Sequence, residues 1–220
     1  MRIVRVVDLS HPLTESTQVY PGDPVPHLTQ HSTIDQDGFN LMSVAMGSQS
    51  GTHVDAPFHF DAATPKIDEL PLQLFIGPAR VVDCGALQPR ERITAEKLGS
   101  QLESVLAGDM VIFKTRWSKH YGTATYFENP FIDSHLIEAL LERGVLTFGL
   151  DAINIDETPD ADHPGEGFPT HHLIAKAGGV ICENLTNLEE INFEPIVSIL
   201  PLKFIGIDGA PVRAVALEVR

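Results

Sequence analysis

The chain has 220 residues, of which 43% are hydrophobic and 20% charged, with a formal net charge of −15 at pH 7. Length and balance suit a globular protein with one sizeable core, and no apolar run approaches the roughly 20 residues that span a bilayer, which argues against a membrane protein. The acid excess repels a phosphate backbone and no cluster of Lys and Arg offsets it, so nucleic acid is excluded as an expected partner, while small molecules and cations remain.

The N-terminal stretch has two arginines and only short apolar pieces broken by Arg5 and Asp8, unlike a signal peptide, so a cytoplasmic protein is expected. Residues 3–9 are apolar and β-branched and predict a strand, Tyr20-Pro21-Gly22-Asp23-Pro24 is a strong turn, and residues 41–46 alternate as a strand does. Residues 79–84 predict a buried strand, and Thr94 is placed to N-cap a helix running to about Leu106 and ended by Gly108. Residues 110–114 follow as a short buried strand. The clearest helix spans 133–144, with Leu136, Ile137, Leu140 and Leu141 on one face and Gly144 at its end.

Residues 146–150 predict another strand. The segment 152–170 then carries Asp156, Glu157, Asp160, Asp162 and His163 among prolines and glycines, and a loop of that length inside a compact domain is often a functional lid. Residues 171–177 predict a short helix, 180–185 a strand, and 195–205 and 212–219 two more. Cys84 and Cys182 form no CxxC pair and read as buried free thiols. Without repeat or linker, residues 1–220 form one α/β domain, rich in strands with a few helices.

Neither GxGxxG nor a P-loop follows any strand, so no nucleotide cofactor is supported, and neither a GxSxG elbow nor a cysteine in an activating context supports a covalent nucleophile. The chemistry concentrates instead in residues 48–60, SQSGTHVDAPFHF. His53 and Asp55 lie two apart, so extended backbone would project both from one face toward one cation. His59 is a third ligand or a general base, and a polar loop with Asp55 as a turn acceptor is the plainer alternative. Two further places can complete a site: the pair His171-His172, and Glu183, which interrupts the apolar run Val180-Ile181-Cys182. A buried carboxylate costs several kcal/mol unless paired, so Glu183 needs Lys176, Arg213 or a cation.

These residues resemble the metal-dependent cyclase or hydrolase family that includes bacterial kynurenine formamidase and isatin hydrolase. Its signature HxGTHxDxPxH is matched by residues 49–59 at every fixed position except the first, where Gln49 stands. Asp8-Leu9-Ser10-His11-Pro12-Leu13, the turn at Tyr20, Lys114-Thr115-Arg116-Trp117-Ser118, Gly149-Leu150-Asp151-Ala152, Phe168-Pro169-Thr170-His171 and Glu183-Asn184-Leu185 extend the resemblance along nearly the whole chain. It implies a swivelling β/β/α-type domain, assembled as a homodimer or higher homo-oligomer.

The resemblance further implies His53, Asp55, His171 and Glu183 as ligands of zinc or manganese. His171 is singled out over His172 because the family histidine stands twelve residues before its glutamate. His59 would then move protons, with Glu183 sharing that role if it leaves the metal. Gln49, which ligates only weakly through its amide oxygen, makes one ion the preferred expectation and two the alternative. Tyr20, Phe58 and Trp117 are candidates to wall the substrate, with core packing the alternative for each. The implied reaction is hydrolysis of a small-molecule amide, formamide, lactam or lactone by water activated on the ion. A metal-dependent lyase or cyclase, and a non-catalytic small-molecule or metal-binding protein, are the rival expectations.

Overall fold

Along residues Met110–Lys114 both faces of the chain are buried: Met110 and Ile112 enter one apolar cluster, Val111 and Phe113 another. A strand buried on both faces belongs in the middle of a sheet that is covered on both sides. The computed structural model describes residues 2–220 and has this arrangement. In chain order its elements are β1 (Ile3–Asp8), β2 (His27–Ser32), α1 (Ile34–Asp37), β3 (Leu41–Ala45), β4 (His53–Asp55), β5 (Ile76–Asp83), β6 (Arg92–Ile93), α2 (Ala95–Leu98) and β7 (Met110–Lys114). There follow β8 (Phe131–Ile132), α3 (Ser134–Glu142), β9 (Thr147–Leu150), α4 (Pro169–Lys176), β10 (Val180–Glu183), β11 (Ile196–Ser198), β12 (Gly209–Pro211) and β13 (Val215–Val219), with short 3₁₀ turns between.

Nine strands form one mixed sheet in the order β1-β13-β11-β5-β7-β9-β10-β4-β12. The centre, β5 to β10, is parallel, and antiparallel strands flank it on both sides. Val7, Val197 and Ala216 from one end of the sheet share an apolar cluster with Val54 and Cys182 from the other, so the sheet curls around that cluster. The opposite face packs under α3 and α4 through Leu136, Ile137, Leu140 and Ile174. The α/β class with few helices is the one expected from the sequence.

Local signals place α3 well. Asp133 caps it by accepting from the backbone N–H of His135, and Gly144, at φ 86°, takes the left-handed turn that ends it. Elsewhere tertiary structure overrides propensity. The helix expected from Thr94 to Leu106 is one α-turn, broken at Gly99 and continued as a 3₁₀ stretch over Gly99–Ser104. Only Ile196–Ser198 of the strand expected over 195–205 is paired in the sheet, and a short strand, β12, forms at Gly209–Pro211 where none was expected. The segment 152–170 is not a lid along its whole length: Ala152, Ile153, Asn154, Ile155 and Asp156 are buried as a wall, and exposure begins at Asp160. β2 and β3 form a separate two-stranded hairpin whose Leu41, Met42 and Val44 are each about half exposed.

Candidate metal centre and active-site cleft

The GTH turn is built before the site is. Gly51, at φ 66°, turns the chain into β4, and the Thr52 hydroxyl donates to the carbonyl of Asn184 while accepting from the N–H of His11. The Asn184 side-chain amide donates in turn to Gly51 O, and Tyr126 donates to Asn184 Oδ1. This brace fixes β4 against β10 in an antiparallel register that sets His53 opposite Glu183 and Asp55 opposite Ile181. His53 and Asp55 project from one face while Val54 enters the core inside the curl.

His53, Asp55 and Glu183 each offer a ligand atom, and these atoms all lie within 4.8 Å of one another. His53 Nε2 stands 3.3 Å from Asp55 Oδ1 and 3.8 Å from Glu183 Oε2. α4 brings His171 to the same point, its Nε2 3.6 Å from Asp55 Oδ2 and 3.5 Å from Glu183 Oε1. All four side chains are buried, whereas His172 is exposed. Glu183 pairs with neither Lys176 nor Arg213: Arg213 forks onto Asp8, and Glu183 Oε1 accepts from the N–H of Ile155.

Both histidines turn the same nitrogen inward. His53 Nδ1 donates to Gly51 O at 2.8 Å, and His171 Nδ1 donates to Asp156 Oδ2 at 2.7 Å, so each neutral ring carries its Nε2 lone pair toward the carboxylates. A hydrogen-bonded Nδ1 and a free Nε2 is how proteins hold a metal-binding histidine. Asp55 Oδ1 is buried with no hydrogen-bond partner, which a cation would remedy. The electrostatics agree. Burial disfavours charge on both rings, yet the adjoining carboxylates outweigh it, holding His53 at about 9 and His171 well above the ordinary value, so this pocket draws positive charge. The donor set of imidazole nitrogen and carboxylate oxygen fits a divalent metal ion.

Above these groups lies a cleft of roughly 210 Å³, walled by Tyr20, Phe60, Ile153 and Phe168 and edged by Asp23, Gln49, His59 and Asn154. His59, on the 3₁₀ turn Pro57–His59, sits at its rim, where its Nδ1 meets Asp208 Oδ2 at 2.9 Å. A carboxylate only accepts, so Nδ1 carries the hydrogen and Nε2 is left as the basic nitrogen. Asp208 Oδ2 also accepts from Gln49 Nε2 at 2.9 Å, and its Oδ1 from Ser48 Oγ.

Residues 7–157 match the protein family described as putative cyclase. The chain belongs to that family. Among the cyclase relatives, the kynurenine formamidase of Salinibacter ruber is 37% identical over 218 residues, covering 96% of each chain. Isatin hydrolase A from Ralstonia solanacearum superposes with a TM-score of 0.88 at 27% identity, over 98% of this chain and 92% of that one. A structure described as a potential metal-dependent hydrolase with cyclase activity aligns over 98% of both chains, with a TM-score of 0.79 and 27% identity.

In this cyclase-family chain the structure brings together His53, Asp55, His171 and Glu183, with Gln49, His59 and Tyr20 around the same cleft. Two expected substrate contacts lie elsewhere. Trp117 is 3% exposed in the core and donates its indole N–H to Tyr126 O, and Phe58 turns away from the cleft under the Lys66 ammonium. Period-two alternation explains neither: Phe58 is the middle residue of a 3₁₀ turn and Trp117 follows a left-handed Arg116. Phe60 takes the wall position instead, stacked on His171 with ring centroids 4.2 Å apart. Sequence reasoning assigned no role to Asp208 or Asp156. Asp208 falls between the strands expected over 195–205 and 212–219, and Asp156, one acid among several in a loop, carries no signal of its burial.

Proposed function

We propose that the chain is a metal-dependent hydrolase that cleaves a C–N bond other than a peptide bond in a small-molecule amide, with aryl formamides as the substrate class. The observation that carries this reading is the convergence of two Nε2 lone pairs and two carboxylates beneath a small cleft whose rim holds a carboxylate-oriented imidazole. The names of the similar proteins, a kynurenine formamidase and an isatin hydrolase, support it. A divalent ion held by His53, Asp55, His171 and Glu183 would polarise the substrate carbonyl and acidify water.

The remaining work falls to the chain's own groups. Tyr20, Phe60 and Phe168 offer apolar and aromatic surface against which an aryl group stacks. His59 takes a proton at Nε2 from the attacking water and returns it to the leaving nitrogen, so that water and amide become carboxylic acid and amine. Asp208 holds the ring for both transfers. Glu183 lies at the floor with a backbone N–H on Oε1, and because burial raises its pKa, its charge there depends on the ion and the two imidazoles beside it.

We take the cofactor as one zinc or manganese ion, since one cluster of three mutually close ligand residues is found among the described residues. A homodimer is part of the same proposal: a lone two-stranded hairpin is marginal in water, and β2–β3 with Leu41, Met42, Val44 and Phe39 exposed gains stability when a second copy covers it. Light scattering on the eluting protein tests it. Cytoplasmic location is proposed on the two free thiols. Among the described residues, no helix is long and apolar enough to cross a membrane.

The functional test is turnover by the metal-loaded protein on N-formylkynurenine and isatin. Release of formate or ring opening is expected, and saturable binding of both without either product would overturn the hydrolase reading.

A further inference from the structure

Gln49 is held in a way that its amide chemistry alone does not require. Its Nε2 donates to Asp208 Oδ2 at 2.9 Å, and because a carboxylate accepts and never donates, this bond decides which end of the carboxamide is which. The other end, Oε1, is buried and has no hydrogen-bond partner, although the residue lines the cleft. The amide lies against Gly209, where an added Cβ would come within 2.7 Å of Nε2 and 2.8 Å of Oε1. Gly209 pairs across the sheet with Asp55, whose Oδ1 is the other unpartnered buried oxygen beside the cleft. Only four buried side-chain polar atoms lack a partner among the described residues, and two of them are these acceptors.

A buried acceptor left without a partner keeps its desolvation penalty uncompensated. The chain supplies no donor to Gln49 Oε1, and Asp55 Oδ1 faces only His53 Nε2 at 3.3 Å, which carries a hydrogen only when that ring is charged, so a cation between them would satisfy both oxygens and leave the ring neutral. We infer that Gln49, clamped by Asp208, serves as a neutral oxygen ligand of the metal centre and moves its preference from zinc toward manganese. The inference rests on the metal reading above. Imidazole suits zinc, whereas carbonyl and carboxylate oxygens suit manganese, so a carbonyl oxygen at this position weights the donor set toward the harder ion. The small residue at 209 leaves room for the carboxamide, and Asp208 keeps its nitrogen, which cannot ligate, turned away.

The experiment is metal binding by the full chain after chelator treatment, with Mn²⁺ alone and Zn²⁺ alone titrated calorimetrically and metal per chain counted by elemental analysis. Gln49→Met, which keeps the length but removes the oxygen, is expected to weaken Mn²⁺ by about tenfold or more and Zn²⁺ by less. Gln49→His restores a nitrogen and is expected to raise the zinc-over-manganese affinity ratio about tenfold or more. An unchanged Mn²⁺ affinity in Gln49→Met overturns the inference and leaves the hydrolase reading standing. Should Gln49→Met fail to fold, an unchanged ratio in Gln49→His overturns it equally. Failure of the wild-type chain to bind either ion would remove both the inference and the metal reading on which it rests.

Discussion

His53 and Glu183 stand directly opposite each other on two antiparallel strands, β4 and β10, although most of the chain separates them in sequence. The register makes the site. A slip of β4 by one residue would turn His53 and Asp55 to the other face and set Val54 toward Glu183 in their place. Every ligand assignment therefore depends on how β4 is held, and the Thr52–Asn184–Gly51 brace is what holds it.

Removing ligands should remove metal and activity together. In Asp55→Ala and His171→Ala, metal per chain measured by elemental analysis should fall well below the wild-type value, with turnover falling in parallel. Full metal content in both variants would show that these residues do something else.

Asp156 is expected to act through His171. Its carboxylate takes the Nδ1 hydrogen and two backbone N–H groups at the start of α4. Asp156→Asn keeps the shape but weakens the orientation, and should lower metal affinity about 10- to 100-fold. Calorimetric titration of the stripped protein reads this directly, and affinity within a factor of two of wild type would refute it.

The His59–Asp208 pair gives a pH dependence of known sign. Burial opposes charge on His59, but Asp208 and Asp55 outweigh it and raise its pKa. The basic form is the neutral one, so kcat should climb as pH rises through a value above the ordinary 6.5 of histidine. Asp208→Asn should move that acid limb to lower pH and cut kcat about tenfold or more, part of the roughly 10²–10⁴ that a positioned acid–base group supplies. Asp208 itself is partly buried, which favours the neutral acid, yet its hydrogen bonds from His59, Ser48 and Gln49 win and depress its pKa to about 2. Its contribution to stability is thus present above about pH 4 and lost as pH falls toward 2. An acid limb in Asp208→Asn that coincides with wild type would separate His59 from the proton transfer.

Gly179 precedes β10 and follows α4, the two elements that carry Glu183 and His171. A Cβ there would meet Leu146 O at 2.6 Å and Ile174 Cγ2 at 2.9 Å, closer than real contacts allow. Gly179→Ala should destabilise by about 1–3 kcal/mol, or roughly 2–4 °C in Tm per kcal/mol for a chain of this size. An unchanged melting curve would mean that the backbone yields without cost.

Covering β2–β3 in a dimer predicts that charge on the hairpin is disruptive. Val44→Asp on this half-exposed strand should convert the eluting species from dimer to monomer. A monomer already present in the wild type would retire that proposal.

Much of this molecule was legible along the chain because the signals are local. The apolar run at residues 110–114, the helix begun at Asp133 and stopped at Gly144, and the paired His53 and Asp55 two residues apart each depend only on backbone period and neighbouring side chains. The choice of His171 over His172 rests on family resemblance, and the helix buries His171 and exposes His172. What the tertiary structure alone decided are the relations between distant segments. These are the register that faces His53 with Glu183, the loop acid Asp156 that turns His171, and Asp208, which lies between two expected strands and meets His59 only because the curled sheet carries β12 to the edge of β4. A side chain's type and local period say which face it is on. Which partner meets it there depends on strand order and curl, and these follow from burying two apolar clusters at once, a property of the whole chain.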